Sequence, residues 1–379
     1  MRVVFLTHNY PRWPGDFSGA ALAALARALV RRGVSVRVVA PGAEVSGTAE
    51  LDGVVVHRIR VAASLGHAIS DQETFAAGPG KALGWPVLTR LWRVLQPAAR
   101  QAIADGVDVV HAHRWVPAGL ATPRGTPLVL TLQGADAALL KTSKLARWMA
   151  RPLFRRASVV TAVSRQAGES VQNLAGRFVG AEHIHPMPID TRGHLWTRGG
   201  GGVVLVARLD KEGRVELALQ TLAILAACGH NLPLTIIGDG PNRTALQQLA
   251  QRLGVSALVR FLGPMPADQA RSHLARADLM LLTTRADDTA AAALEALITG
   301  VPVVACWDGG AAVDVVPESG AGRLSLPSAE ALADNVISLR ADGDRLAIAR
   351  LVGEAWRARL APDHVAQLCE GWYRNALAS

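Results

Sequence analysis

The sequence predicts an α/β protein built from two doubly wound, Rossmann-like parallel-sheet domains of similar size. Three observations carry that expectation. Continuous Val/Ile/Leu runs of strand length alternate with longer helix-forming stretches, the pattern of parallel strands covered by helices on both faces. The alternation restarts after a Pro- and Gly-rich stretch near the middle of the chain. The chain has 379 residues, half of them apolar and 19% charged, enough for two ordinary domains with substantial cores.

In the first half, RVVFLT (2–7) reads as a buried strand, AALAALARALVRRG (20–33) as a helix closed by glycine, and VSVRVVAP (34–41) as the next strand. The apolar run of MRVVFLTHNYP is too short for a signal peptide, so it is assigned to that first strand. Further strands are expected at DVVHAH (108–113), PLVLTLQG (127–134) and SVVTAVS (158–164). The connector HPMPIDTRGHLWTRGGGG (185–202) has prolines and four consecutive glycines and is expected to be flexible. The second half continues with VVLVARL (203–209), ELALQTLAILAACG (216–229), LTIIGDG (234–240), ADLMLLTT (277–284) and VPVVAC (301–306). The expected division is a first domain over 1–190, a linker over 191–202 and a second domain over 203–379, its last helix free to cross back to the first. Sheets of this kind bind ligands beyond the carboxyl ends of their strands, so two facing sheets would place a site in the cleft between them.

Composition excludes several classes. No apolar run approaches the roughly 18 residues a membrane helix needs. Cys228, Cys306 and Cys369 are widely spaced and suit neither a disulfide framework nor a zinc site, so free buried thiols in a reducing cytoplasm are expected. The net charge of +9 is uneven: residues 1–195 hold 23 Lys+Arg against 12 Asp+Glu, and residues 196–379 hold 17 against 19. A basic first half favours anionic partners, but no nucleic-acid recognition motif accompanies it, and nucleic acid is not expected. An Arg-rich composition throughout the source proteome would produce the same excess. No GxGxxG follows a strand, and GDGPNR (238–243) lacks the third glycine; GxxxxGK[ST] is absent. Asp342-Gly343-Asp344 reads as a solvated turn rather than a metal site.

One stretch, DDTAAAALEALITGVPVVA (287–305), combines acids, a short helix and a strand. Asp287, Asp288 and Thr289 are N-cap candidates, Ala290 to Thr299 is helix-favouring, and Gly300-Val301-Pro302 stops it. Asp288 and Glu295, seven apart, share a face if the helix starts early. Its N-terminus would offer free amides and a positive dipole end to a phosphate, and a carboxylate further along could hold ribose hydroxyls; a capped helix with a surface Glu fits the same residues.

Across nearly the whole chain the sequence resembles the retaining GT-B glycosyltransferases of family 4, the glycosyl transferases of group 1. In the second half the resemblance rests on VVLVARLDKEGRVELALQ (203–220), IIGDGP (236–241), VRFLGPMP (259–266) and ALEALITG followed by VPVVACWDGGAAVDVV (301–316). In the first half it rests on THNYPRWPGDFSGA (7–20), DVVHAHRWVPAGL (108–120), TLQGAD (131–136) and VVTAVS (159–164), in the family's order. It implies a UDP- or GDP-sugar as co-substrate, no other cofactor and no metal. The acceptor is an unidentified hydroxyl on a glycan, a lipid-linked molecule or a small natural product.

The resemblance also assigns roles. Asp287 and Glu295 stand at the family's paired acids, the first for sugar hydroxyls and the second for the ribose. Between them, Asp288-Thr289-Ala290-Ala291 replaces the usual Gly-Phe-Gly-Leu, so Thr289, Ala290 and Ala291 become the donor-facing amides. Alanine there is expected to keep φ negative. Arg208 matches the arginine for the donor phosphates, where an always-charged fork stabilises the leaving diphosphate. The family lysine five residues on is Gly213 here, with Lys211 and Arg214 beside it as substitutes. Gly238, Gly240 and Leu262 complete the donor side, and Gly19 is the glycine of the loop after the first strand, where backbone would approach sugar or phosphate. His113 is the histidine near the reacting sugar, whereas His111 suits a hydrogen-bonded core position. Asp16, Gln133 and Asp136 fall on the acceptor side; Gln133 replaces a frequent histidine and cannot titrate.

KTSKLARWMARPLFRRA (141–157) is basic, with Trp148, Met149, Leu153 and Phe154 interspersed. It is expected to be a core-packed helix with a solvated basic face; peripheral contact with an anionic membrane at its inner face is the alternative. The departures at Gly213, Gln133 and the Gly-Phe-Gly position leave two other functions open: a sugar-nucleotide-binding relative without catalysis that serves as a partner subunit, and a sugar-nucleotide epimerase on the same scaffold.

Overall fold

The computed structural model describes residues 1–13, 16, 19–42, 46–61, 84–172, 174, 176, 179–191, 196–197, 199–285 and 290–379. The chain forms two compact units, one of Met1–Asp190 with Leu360–Ser379, the other of Thr191–Arg359.

The first unit has a seven-stranded sheet in the order β3-β4-β2-β1-β5-β6-β7. Its strands are β1 Arg2–Leu6, β2 Ser35–Gly42, β3 Gly47–Leu51, β4 Val54–Arg60, β5 Val109–His113, β6 Leu128–Leu132 and β7 Val159–Ala162. All pairings are parallel except that of β3 with β4. Alternation along β1 feeds two cores. Val4 and Leu6 pack with Val110, Leu128 and Leu130 on one face. Val3 and Phe5 pack on the other with helix Ala20–Arg31 and with Cys369, Trp372 and Tyr373. Those last three residues belong to the helix Pro362–Ala378, which thus completes the first unit's core. Each large apolar side chain buried this way is worth about 1.5–3 kcal/mol.

The second unit has a six-stranded sheet in the order β10-β9-β8-β11-β12-β13, parallel throughout. The strands are β8 Val203–Val206, β9 Leu234–Ile237, β10 Val259–Gly263, β11 Leu279–Leu282, β12 Val303–Cys306 and β13 Arg323–Ser325. Helices Val215–Ala227 and Ala329–Ala341 cover one face through Leu219, Leu222, Leu332 and Val336.

The expected flexible linker is corrected for its described residues. Trp196 donates from its backbone N to Thr299 O at 2.9 Å and from Nε1 to Ala277 O at 3.1 Å. A Cβ on Gly201 would lie 2.4 Å from Arg276 O, and one on Gly202 2.2 Å from Pro233 O. These two glycines are therefore small because the chain lies flat against neighbouring segments of its own unit.

Candidate active site

In each unit the candidate residues gather at the carboxyl ends of the parallel strands, where loops leave a rigid sheet.

His111 and His113 both lie on β5, two apart on one face, with ring centroids 4.1 Å from each other. Phe5 meets both rings edge-on, at 5.3 and 4.9 Å. His111 is saturated: Nδ1 bonds Tyr373 Oη at 2.8 Å, and Nε2 bonds Thr131 Oγ1 at 2.7 Å, which continues to Thr161 Oγ1. Burial pushes the His111 pKa down to about 3. His113 is just as buried, and burial, with smaller contributions from His111 and His8, holds it well below the ordinary histidine range.

The tautomer of His113 follows from its partner. With the Gln133 amide oriented so that Nε2 lies 3.1 Å from His113 Nδ1, Gln133 donates, Nδ1 accepts and the ring proton is assigned to Nε2. That Nε2–H has no hydrogen-bond partner among the described residues. Gln133 Nε2 also lies 3.7 Å from Met187 Sδ.

Asp136 does different work from that implied by the resemblance. It is buried, and both its oxygens accept backbone N–H bonds, from Trp115 and Gln133 at 2.9 Å each. Burial raises its pKa, against the opposing influence of Arg114 and these bonds. It clamps the loops around His113. Asp16 likewise closes its own loop, accepting from Arg12 Nε at 2.7 Å and Arg12 N at 3.0 Å. Gly19 has φ +79, and a Cβ there would lie 2.8 Å from Tyr10 Cα, so the close approach it permits is to the chain's own backbone.

In the second unit, Arg208 follows β8; its side chain is 45% exposed and pairs with Asp210. Asp210 Oδ1 also accepts from Glu212 N and Gly213 N, at 3.0 and 2.9 Å, which folds the loop into a tight turn. A Cβ on Gly213 would stand 1.9 Å from Arg208 O, so this turn admits no lysine at that position. Arg214, one of the two proposed substitutes, is committed elsewhere. Its Nη1 and Nη2 fork onto Asp308 at 2.8 and 2.6 Å, and Nε donates to Thr283 O at 2.7 Å. It rivets the loop after β8 to the loop after β12. Lys211, the other substitute, is exposed and has no carboxylate partner among the described residues.

Gly238 and Gly240, after β9, lie against the segment after β8 that carries Arg208. A Cβ on Gly238 would be 1.9 Å from Ala207 O, and one on Gly240 2.5 Å from Leu209 O. Leu262 is exposed on β10, an edge strand.

Asp287, Asp288 and Thr289 lie outside the described residues. The helix itself spans Ala291–Thr299, with Ala290 at its N-cap and Gly300 as its left-handed C-cap. Ala290 has φ +53 and no side-chain cap bond. This corrects the expectation of a negative φ: the alanine takes the left-handed conformation that glycine adopts freely, at a cost of about 1–2 kcal/mol. The first-turn amides, Ala291 included, are left without intrahelical partners by helix geometry. Glu295 is forked by Arg271, Nε to Oε2 at 2.6 Å and Nη2 to Oε1 at 3.0 Å. Each oxygen still has a lone pair for a hydroxyl, so Arg271 fixes the orientation of the carboxylate without exhausting it.

Arg271, Asp308, Thr283 and Tyr373 all support these candidates, and all escaped the sequence. Only Asp308 carried a visible signal, in the WDGG turn after a strand. Cys306, next to that turn, is inert: burial raises its thiol pKa to about 11.

Comparison with known proteins bears on the family and the fold. A family model described as "Glycosyl transferases group 1" matches residues 196–350, and one described as "Glycosyl transferase 4-like domain" matches residues 18–190. A GDP-mannose-dependent alpha-(1-6)-phosphatidylinositol monomannoside mannosyltransferase of Mycolicibacterium smegmatis is 29% identical over 231 residues, 56% of this chain. The chain spans 60% of that relative's length. Sucrose-phosphate synthase (tll1590) from Thermosynechococcus elongatus superposes with a TM-score of 0.71 at 17% identity, covering 100% of this chain and 99% of the other. Anabaena Alr3699/HepE, solved with UDP-glucose, gives 0.64 at 20% identity, covering 99% and 100%. The two family models meet end to end across most of the sequence, and the chain belongs to the GT-B glycosyltransferases of group 1.

Proposed function

We propose that the protein is a retaining, metal-independent glycosyltransferase that moves a sugar from a UDP- or GDP-sugar to a hydroxyl acceptor. The second unit takes the donor and the basic first unit takes the acceptor. The observation that carries the reading is the buried His113 Nε2, which has no hydrogen-bond partner among the described residues while Gln133 engages the other ring nitrogen. A dry, oriented donor with nothing to bond is costly unless a ligand hydroxyl meets it.

In this reaction the acceptor oxygen bonds the anomeric carbon on the face from which the diphosphate departs. The carbon–oxygen bond to phosphate breaks, and the acceptor's proton passes to the departing diphosphate oxygen. Arg208, Lys211 and the opening amides of helix Ala291–Thr299 stabilise the negative charge that grows there. Asp287 meets the sugar hydroxyls and Glu295, aimed by Arg271, the ribose. His113 stays neutral and orients rather than titrates. These groups do the work a metal would do, and the nucleotide-sugar is a co-substrate rather than a resident cofactor.

The test is transfer with UDP- and GDP-sugars against a panel of hydroxyl acceptors, in chelator, with the anomeric configuration of the product read by NMR. Arg208→Ala should fold normally and lose about 10²–10³ in kcat. Full transfer by that variant, a chelator-sensitive rate, or an inverted product would each overturn the corresponding part of the reading. A second reading, a binding subunit without catalysis, is favoured by one observation: Gly213 has no room for the lysine. Calorimetric binding of UDP or GDP with no transfer to any acceptor in the panel would support it. Release of free nucleotide without any acceptor would point instead to an epimerase.

A further inference from the structure

The helix Lys144–Arg156 of the first unit has two faces with different tasks. Ala146, Ala150, Leu153 and Phe154 are buried in the core beside Leu128 and Leu130. Arg156 also turns inward, donating to the carbonyls of Thr122 and Pro123. On the other side Lys144, Leu145, Trp148, Arg151, Pro152 and Arg155 are all exposed, at spacings of three and four that align them along one stripe. Lys141, at the end of the preceding helix, is exposed just before this stripe.

Two features separate this stripe from an ordinary solvated face. Leu145 is 53% and Trp148 73% exposed, large apolar groups standing among cations. From Ala137 through Gly168 the sequence has seven Lys and Arg and no Asp or Glu. Among the described residues no carboxylate pairs with Lys141, Lys144, Arg147 or Arg151. We propose that this face docks the first unit on the surface of an anionic bilayer. Trp148 and Leu145 enter the headgroup region, where an indole satisfies both its apolar ring and its N–H. The basic side chains lay their stems along the same surface and reach the lipid phosphates. Charge decides the occupant: a second copy presenting the same stripe would meet like charge with like. The proposal concerns where the protein sits and is independent of the reaction above.

Flotation of the full-length protein with vesicles tests it, using phosphatidylcholine alone against equal parts phosphatidylcholine and phosphatidylglycerol. The expected result is binding to the anionic vesicles only, weakened by salt. Lys144→Ala and Arg151→Ala should each reduce the partition coefficient about fivefold. The double variant Leu145→Ser/Trp148→Ser should abolish it, with an unchanged circular dichroism spectrum because both side chains are outside the core. Leu351→Ser, equally exposed but in the second unit, should change nothing. No flotation with anionic vesicles, equal binding to both compositions, or binding retained by the double variant would overturn the proposal. So would a dimer in sedimentation velocity that Trp148→Ser dissociates, which would assign the face to a second copy.

Discussion

His113 at the end of β5 and Arg208 after β8 occupy corresponding places, each at the carboxyl end of an interior parallel strand. Their surroundings are opposite. His113 is buried, neutral and held by one neighbour, Gln133. Arg208 is nearly half exposed, charged, and paired with an acid in its own turn. Under the proposed reaction, the difference follows from what each end would meet. Discriminating sugar hydroxyls takes a dry, fixed donor whose geometry is set before the ligand arrives. Receiving a diphosphate takes charge, and charge is cheap to keep only while water or a carboxylate solvates it.

The largest expected effect tests the dry end. His8, His111 and His113 are all pushed below the usual histidine range, mainly by burial. Above about pH 6.5 these rings are neutral in both folded and unfolded chains and cost nothing. As pH falls below that value the unfolded chain takes up protons that the folded chain refuses. Stability is then lost at up to roughly 1.4 kcal/mol per pH unit for each ring, over the window down to about pH 3 where His111 itself titrates. Tm should therefore drop steeply below pH 6; a flat Tm from pH 7 to 5 would break this account. Next in size, His113→Ala should cost about a hundredfold in kcat/KM. Tyr373→Phe, which keeps the packed ring and removes a hydroxyl that bonds His111 and interacts with the Cys369 thiol, should leave turnover alone and cost about 1 kcal/mol of stability. Equal kinetic losses in the two variants would erase the distinction between the histidines.

At the charged end, Arg271→Ala frees the Glu295 carboxylate to swing, and KM for the donor should rise about tenfold with a smaller change in kcat. An unchanged KM would mean the pair serves only to pack the helix. The smallest expected effect is Ala290→Gly. Relief of the positive φ, about 1–2 kcal/mol, is offset by one lost buried methyl and a more flexible unfolded chain, so the net change should stay within about 1 kcal/mol. Ala290→Val, branched at Cβ in the same conformation, should be clearly worse; equal melting temperatures for the two would remove strain from the explanation.

The interior strands were legible because both faces are buried: β5, β6 and β12 are buried at every position, and apolar residues dominate each of them. β4 and β10 were not assigned from the sequence, because a strand with an exposed side alternates and VVVHRIR and VRFLG carry polar residues outward. Glycines were easy to see and hard to interpret. Gly238 and Gly240 match a motif, yet the close contact they allow is with residues 207 and 209. The partners of the site, Arg271 for Glu295 and Asp308 for Arg214, are 24 and 94 positions away, and no local spacing rule links them. The core role of His111 was legible because an i, i+2 pair on a buried strand cannot have both rings at its mouth; that Tyr373 would supply its bond was not.

The hydrogen bond between His111 and Tyr373 joins residues 262 positions apart. On a ribosome, residues 191–359 emerge and can fold as a unit while the earlier-made sheet still lacks the helix that covers Phe5 and Ala26. The part synthesised first is therefore the part finished last. A nascent or prematurely terminated chain ending near residue 359 would display a bare apolar sheet face, the kind of surface that chaperones and proteases attend to.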